Sequence, residues 1–256
     1  DGGALLLATG PAFATQASLY RTPLVSVLPA RPTGETITGA FRPELNAKGR
    51  RHPITADFKG NDDQSWGPWY RVIDNDPIGG DVLMDGPDGV PLFVIDKVQD
   101  GRVAMLMSDQ AWLWAKGHEG GGPYREMLRR TAHWLMGEPE LDAETLSAVR
   151  DGDDLIISRR SLEDVDAPVE VISPNGTRRK VTLDRVAEGL YRATLPLNGQ
   201  GAYRLSNGDI STIAAVGSLN PKEFENLLPT QDILEPLSSA TNGLIKSVGI
   251  SATNMP

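Results

Sequence analysis

Two short apolar runs stand out in the hydrophobic pattern of the first half of the chain. Ala4 to Ala8 and Val103 to Met107 each contain five consecutive apolar residues. Such runs are typical of strands buried on both faces, as in a parallel sheet. Gly10-Pro11 closes the first run soon after its end. We therefore expect both segments to be core strands of an α/β domain.

Shorter strands separated by glycine turns are predicted between Trp66 and Met107. Asp88-Gly89 and Asp100-Gly101 are hairpin signals, because glycine tolerates the positive φ that such turns require. Residues 21–65 are rich in Pro, Gly, Thr and charge and are predicted as long loops around one regular segment, Leu24 to Leu28. The strands expected here are Tyr70 to Ile73, Asp81 to Met84, Leu92 to Asp96 and Arg102 to Met107.

One amphipathic helix is predicted after the second apolar run. Pro123 suits a first helical position, and Gly137 with Pro139 ends the pattern. At 100° per residue one side of the helix is mainly apolar and the other charged. The first side comprises Tyr124, Met127, Leu128, Thr131, Trp134 and Leu135.

Beyond Asp151 the hydrophobic period changes to two. Six short strands are separated by turn signals such as Pro174-Asn175-Gly176 and Asn207-Gly208, which predicts a small β-sandwich ending near Val216. We expect an α/β domain with a linker at 1–150, the sandwich at 151–217 and a tail at 218–256. The predicted strands are Leu155 to Ser158, Val169 to Ile172, Lys180 to Leu183, Leu190 to Leu195, Ala202 to Leu205 and Ile210 to Val216.

Composition removes several classes of function. The chain of 256 residues has a net charge of -9, and acidic residues outnumber basic ones in both halves, so nucleic acid is not an expected partner. Without cysteine there is no disulfide, thiolate metal site or cysteine nucleophile. The three histidines lack ligand spacing, so we expect no metal and no cofactor. No apolar run approaches the roughly 18 residues of a membrane-spanning helix.

Candidate binding residues follow the two apolar runs. Ligands of open parallel sheets bind beyond the carboxyl ends of the strands. By this rule the candidate binding residues are Thr9 after the first run and Asp109 with Trp112 after the second. His118 and Glu119 pair an imidazole with a carboxylate just before the predicted helix. Each has a structural alternative. Asp109 could cap a helix, Trp112 could pack a helix onto the sheet, and His118-Glu119 could be a solvated loop.

Residues 1–137 resemble the second half of a class I glutamine amidotransferase-like domain, which has the flavodoxin-like fold. The likeness rests on three segments, Asp1 to Leu7 followed by Gly10-Pro11, Gly101 to Asp109 with Trp112, and Gly120 to Leu135. More narrowly, the segment from Ser108 to Trp114, followed by that from Gly117 to Pro123, is similar to bacterial membrane-anchored proteins related to the Bat aerotolerance and von Willebrand A-type membrane proteins. The resemblance covers about residues 1–217. It implies a flavodoxin-like three-layer domain without its N-terminal half, followed by an immunoglobulin-like sandwich.

The resemblance implies a fold rather than an activity. Active members of the family use a cysteine at a strand-to-helix elbow with a histidine and a glutamate, and Ala8 or Thr9 stands where that cysteine would fall. A threonine without a nearby base does not replace a thiolate. Residues His118 and Glu119 are adjacent, whereas the family's pair is normally His-x-Glu. We therefore expect a non-catalytic module for protein interaction or ligand binding. The alternative is a hydrolase or carbohydrate-active protein that uses Asp109, His118 and Glu119.

The resemblance also implies a location. We expect protein partners in the cell envelope, on the extracytoplasmic face of the bacterial inner membrane, with anchoring through segments outside this sequence. Ala4 to Ala8 is a buried type of strand with nothing before it, so we expect further strands of the domain to precede Asp1. An uncovered strand edge would lead this chain to self-associate.

Overall fold

The computed structural model describes residues 2–56, 58, 65–217 and 240. Residues up to Ala215 form one compact unit, and a second unit begins at Val216. Apart from residue 240, the predicted tail at 218–256 lies outside the described residues. The described residues up to Val216 fall into two sequence regions, residues 2–141 (the mixed-sheet region) and residues 145–216 (the two-sheet region).

The mixed-sheet region contains seven strands and three helices among its described residues. The strands are β1 Ala4–Ala8, β2 Ala30–Phe41, β3 Glu44–Leu45, β4 Trp69–Pro77, β5 Asp81–Asp85, β6 Pro91–Val98 and β7 Gly101–Leu106. The helices are α1 Ala47–Arg51, α2 Trp112–Ala115 and α3 Tyr124–Leu135. Short 3-10 helices lie at Pro11–Ala14, Leu19–Arg21, Pro23–Ser26, Pro87–Gly89, His118–Gly120 and Pro139–Leu141.

Five of these strands form one mixed sheet in the order β1-β7-β6-β5-β3. β1 and β7 run parallel, with Ala4 opposite Arg102 and Ala8 opposite Leu106. The other neighbours in this sheet are antiparallel. β2 and β4 form a separate antiparallel ribbon. The two apolar runs of the sequence are therefore the parallel pair at one edge of the sheet.

The prediction of a flavodoxin-like three-layer domain followed by an immunoglobulin-like sandwich is wrong. The described residues form four sheets with few helices, and α3 is the one helix among them longer than five residues. A doubly wound fold needs parallel strands that alternate with helices on both faces, whereas β5, β6 and β7 are joined by short turns. β1 and β7 are the one parallel pair of the mixed sheet, so the resemblance that implied a parallel three-layer domain does not hold for its topology. The 12-residue strand β2 lies where long loops were predicted.

The core of the mixed-sheet region is rich in large aromatic side chains. Trp69 and Trp134 are fully buried. Trp66 packs edge-on against both Phe58 and Trp114, and Trp114 packs tilted against Trp69. α3 begins at Tyr124, one residue after the start predicted at Pro123, and it buries Met127, Thr131 and Trp134. The helical period was thus a correct guide to the face that packs on the sheet.

The two-sheet region contains eight strands where six were predicted. They form two four-stranded sheets, β11-β10-β14-β15 and β12-β13-β9-β8. β8 lies in the predicted linker, so the strands begin at Thr145; the division of the chain into domains stays a prediction. Burial alternates along β9, whose residues Leu155, Ile157 and Arg159 point inward. The strands are β8 Thr145–Asp151, β9 Asp154–Arg160, β10 Val169–Ile172, β11 Arg178–Val181, β12 Asp184–Ala187, β13 Leu190–Pro196, β14 Gly201–Asn207 and β15 Ile210–Val216.

Candidate functional site

The parallel pair brings two of the predicted site segments to one edge of the mixed sheet. Because β1 and β7 share a direction, Thr9-Gly10 and Ser108-Asp109 follow them side by side. A methyl group added to Gly10 would lie 2.9 Å from Oδ2 of Asp109. The turns that follow the two apolar runs therefore lie in contact, through Gly10 and Asp109.

Thr9 is not available to a ligand or as a nucleophile. Its side chain is buried, with 2% of the residue exposed. Its backbone N–H donates to the carbonyl oxygen of Leu106 at 2.8 Å, and its hydroxyl donates to the same oxygen at 3.2 Å. Thr9 therefore extends the pairing of β1 with β7, and its role is structural.

Asp109 is bound by an arginine of the neighbouring ribbon. Nη2 of Arg71, on β4, lies 2.8 Å from both carboxylate oxygens of Asp109. The helix-cap alternative is wrong, because α2 begins after Ala111 without a side-chain cap. The hydroxyl of Ser108 instead accepts from the N–H of Gln110 and donates to the carbonyl of Arg71. Asp109 thus fixes the turn after β7 to β4.

His118 and Glu119 meet at the hydroxyl of Tyr70. That oxygen lies 2.9 Å from Nε2 of His118 and donates to Oε1 of Glu119 at 3.4 Å. The imidazole and the carboxylate are 3.7 Å apart, and all three side chains are partly exposed. Desolvation, and secondly the charge of Glu119, raise the pKa of the Tyr70 phenol above its ordinary value. The phenol is the donor in the hydrogen bond to Glu119.

The loop that carries His118 and Glu119 is held against a tryptophan. Nε1 of Trp114 donates to the carbonyl oxygen of Gly67 at 2.7 Å, and the N–H of Gly67 donates to the carbonyl oxygen of Gly121 at 2.6 Å. A Cβ on Gly67 would lie 2.1 Å from the carbonyl oxygen of His118. Glu119 itself has a positive φ of 44°, which is uncommon outside glycine and marks a position fixed by its surroundings.

The two tryptophans of α2 have different environments. Trp114 is buried in the aromatic core, whereas Trp112 is 54% exposed. Packing of a helix onto the sheet, the structural alternative for Trp112, is instead the role of Trp114. Trp112 lies on the surface, two residues after Gln110. Oε1 of Gln110 accepts from the N–H of Tyr70 at 2.6 Å. This hydrogen bond ties the start of α2 to the strand that carries Tyr70.

Three residues of the site were missed in the sequence. Tyr70, Arg71 and Gln110 make the hydrogen bonds that hold the predicted residues together. Tyr70 is separated from His118 by 48 positions and Arg71 from Asp109 by 38. Hydrophobic periodicity is a local signal, and nothing in one sequence pairs positions so far apart. The structure thus connects His118 with Glu119 through Tyr70, and it places Asp109 on Arg71 rather than with them.

A separate groove of about 800 Å³ lies between the end of α3 and the outer face of β9 and β13. His133, Leu141, Ser158, Arg160 and Arg192 are among its lining residues. None of the five predicted site residues lines it. Within the described ranges no group of three or more His, Asp or Glu residues is placed to hold a metal ion. The helices of that same part are too short or too polar to cross a membrane.

Comparison with known proteins gives no family assignment. No family profile and no curated protein matches the chain. Among solved structures, a cytoplasmic protein from Salmonella typhimurium has a TM-score of 0.44 at 21% identity, over 52% of this chain and 55% of its own.

Two β-galactosidases also show a weak likeness. The enzyme from Rahnella sp. R3 has a TM-score of 0.35 at 12% identity, over 76% of this chain and 29% of its own. A family 42 enzyme from G. stearothermophilus has a TM-score of 0.30 at 10% identity, over 76% of this chain and 28% of its own. The chain therefore spans about half the length of the Salmonella protein and less than a third of the galactosidases. At these TM-scores the likenesses decide neither fold nor function.

Proposed function

We propose that this chain is a non-catalytic module that binds a protein partner through an exposed surface formed by Tyr70, Trp112, His118 and Glu119 (the Tyr70 surface). The observation that carries the proposal is that Asp109 pairs with Arg71 and not with His118 and Glu119, so the three groups that the alternative mechanism needs are not joined in one network. Asp109 is bound by Arg71, and His118 and Glu119 share the hydroxyl of Tyr70. These contacts hold the side chains of the surface in place.

The composition of the Tyr70 surface favours a protein as the partner. Tyrosine and tryptophan are enriched at the centres of protein interfaces, because they bury a large area with little loss of side-chain freedom. Trp112 provides an exposed indole, and Tyr70 is held by hydrogen bonds on its backbone and its hydroxyl. A surface positioned in this way loses little entropy on binding.

The absence of catalysis is tested by assaying the purified chain against glutamine and against a chromogenic β-galactoside. We expect no turnover of either compound. Glutamine or galactoside hydrolysis that is abolished by H118A would contradict the proposal. That result would support the alternative, a hydrolase or carbohydrate-active protein, for which the contacts of Tyr70 with His118 and Glu119 are the favourable observation.

Binding is tested with a photo-crosslinking amino acid at position 112 of the protein, in the cells that produce it. We expect one discrete protein adduct. Val186 on β12 is the matched control, because it is 53% exposed against 54% for Trp112 and lies in the other region. An adduct of the same size from both positions, or none from position 112, would show that the Tyr70 surface is not an interface.

The location in the cell is a separate part of the proposal. We propose that the module lies on the extracytoplasmic face of the bacterial inner membrane, with envelope proteins as partners and anchoring through segments outside this sequence. Its support is the sequence resemblance to membrane-anchored bacterial proteins. A reporter fused after residue 217 of the whole gene product should be active in the periplasm. Activity in the cytoplasm would contradict the assignment.

A further inference from the structure

β1 is an edge strand with an apolar sequence. It pairs with β7 on one side and stands at the end of the mixed sheet, so within the described residues no strand pairs with its other side. Leu6, at its centre, is 44% exposed. Exposed edges present unpaired backbone N–H and C=O groups that form hydrogen bonds with further strands.

The direction of the unpaired backbone groups follows from the pairing with β7. The N–H of Arg102 donates to the carbonyl of Gly3, and the N–H of Thr9 donates to that of Leu106. Gly3 and Thr9 are both odd positions, and alternate residues of a strand face the same neighbour. The backbone groups of Ala4, Leu6 and Ala8 therefore point away from β7.

The same three positions are related by symmetry in the sequence. Ala4 to Ala8 reads Ala-Leu-Leu-Leu-Ala in both directions. In an antiparallel pair of β1 strands centred on Leu6, Leu6 faces Leu6 of the other copy, and Ala4 faces Ala8. A residue pair that exchanges both backbone hydrogen bonds recurs at every second position. In such a pair, every N–H and C=O group of Ala4, Leu6 and Ala8 that points away from β7 has a hydrogen-bond partner in the other copy.

We infer that β1 is the interface of a two-fold symmetric dimer, in which two mixed sheets join through antiparallel pairing centred on Leu6. A closed two-fold interface needs a self-complementary patch, and the palindromic strand supplies one. β1 carries no charge, so two copies of an acidic chain meet there without opposing charges. Leu5 and Leu7 already pack against the core, and Leu6 adds the contact between copies.

Three other edge strands of the described sheets are protected by charge. β8 ends in Arg150-Asp151, β11 contains Arg178, Arg179 and Lys180, and β12 begins with Asp184-Arg185. Charged residues on an edge oppose pairing between molecules. The contrast favours β1 over these three strands as the interface. The edge strand β15 is also uncharged, but its sequence Ile-Ser-Thr-Ile-Ala-Ala-Val lacks the symmetry of β1. The inference is independent of the Tyr70 surface.

The interface is tested by sedimentation over a roughly hundredfold range of protein concentration. The wild-type chain should form dimers as concentration rises, and L6K should weaken the dimer at least about tenfold, because it places two lysines opposite each other. L6P should act likewise, because it removes an N–H that points away from β7. V149K, an exposed substitution on the charged edge strand β8, should dimerise like the wild type. A monomeric wild type, or dimers that L6K leaves unchanged, would overturn the inference.

The register is tested with single cysteines, since the chain has none of its own. Paired residues of this kind have Cα atoms about 5.5 Å apart, within disulfide range. L6C should therefore oxidise to a covalent dimer. A4C should not, because position 4 faces position 8 of the other copy. Equal crosslinking of both variants would exclude the proposed register, and circular dichroism would check that every variant remains folded.

Discussion

The mixed-sheet region and the two-sheet region differ in the sequence distance over which their contacts form. β1 pairs with β7 across about a hundred positions, with Ala4 opposite Arg102. In the two-sheet region, β8 and β9 form a hairpin that closes between Asp151 and Asp154. The hairpin forms from a turn and an alternating pattern within a few residues. The pairing of β1 with β7 forms only if the roughly hundred residues between them fold so that the two strands meet.

The two regions also differ in how their interiors are filled. The mixed-sheet region buries aromatic rings that contact one another, Trp134 with His52 and Trp69 with Trp114. The two-sheet region buries no tryptophan; apart from Tyr191 and Tyr203, it buries smaller side chains such as Leu155, Val171 and Leu205 at alternate strand positions. We therefore expect single substitutions to have larger effects in the mixed-sheet region. Four changes test this difference, from the largest expected effect to the smallest.

Trp134→Ala should lower the free energy of unfolding by about 3–5 kcal/mol. Trp134 is fully buried, its ring lies edge-on to His52, and the guanidinium of Arg102 lies 5.2 Å from the ring centroid. Urea denaturation measures the loss. Trp112→Ala, at an exposed tryptophan, should change stability by less than about 0.5 kcal/mol. Equal losses in the two variants would contradict the assignment of Trp134 to the core.

Acidification should destabilise the mixed-sheet region through His52. Desolvation lowers the pKa of this buried imidazole from 6.5 to about 4, and its Nδ1 accepts the N–H of Ile54. Between these two values the unfolded chain binds a proton that the folded chain does not. The stabilisation is therefore complete above pH 6.5 and is lost as pH falls to 4, by about 3 kcal/mol.

The His52 effect is isolated by comparing urea midpoints at pH 7 and pH 4 for the wild type and H52Q. Both proteins protonate the same carboxylates, so the difference between their losses belongs to His52. The wild type should lose more stability than H52Q. The same loss in both would show that the imidazole does not stay neutral in the folded chain.

Gly67→Ala should destabilise the loop of the Tyr70 surface by about 1–3 kcal/mol. Its new Cβ would lie 2.1 Å from the carbonyl oxygen of His118, so that loop must move. The chemical shifts of the His118 ring should change as its contact with Tyr70 is lost. Gly3→Ala is the matched control, because no atom lies within 4 Å of its added Cβ. An unchanged His118 signal in G67A would show that the loop is not held there.

Tyr203→Phe should have a smaller effect, about 1 kcal/mol, in the two-sheet region. The buried hydroxyl of Tyr203 accepts from the N–H of Asn198 and donates to the carbonyl of Gly199, both at 2.9 Å. Tyr191→Phe should lose less stability, because the partner of its hydroxyl, Asp164, is exposed and can be solvated. Thermal unfolding of the two variants measures the difference. A larger loss in Y191F would reverse the roles assigned to the two hydroxyls.

The candidate site was only half accessible to sequence reasoning. The positions of Asp109, Trp112, His118 and Glu119 after β7 followed from apolar runs and glycines. The residues that bind them could not be predicted in this way. Tyr70 and Arg71 lie in β4, and the hydrophobic pattern of a strand indicates which side chains are buried but not which distant residues they contact. Thr9 was selected by position alone, and the hydrogen bonds to Leu106 exclude it as a ligand-binding hydroxyl.

The sequence by itself determined the local elements of this protein. The helix after Pro123, the glycine hairpins and the alternating strands beyond residue 151 are set by interactions within a few positions. Only the tertiary structure decided that β1 lies beside β7, that β2 pairs with β4 outside the mixed sheet, and that Tyr70 contacts His118. Those arrangements join segments many residues apart, and they depend on which buried surfaces fit one another rather than on any local period.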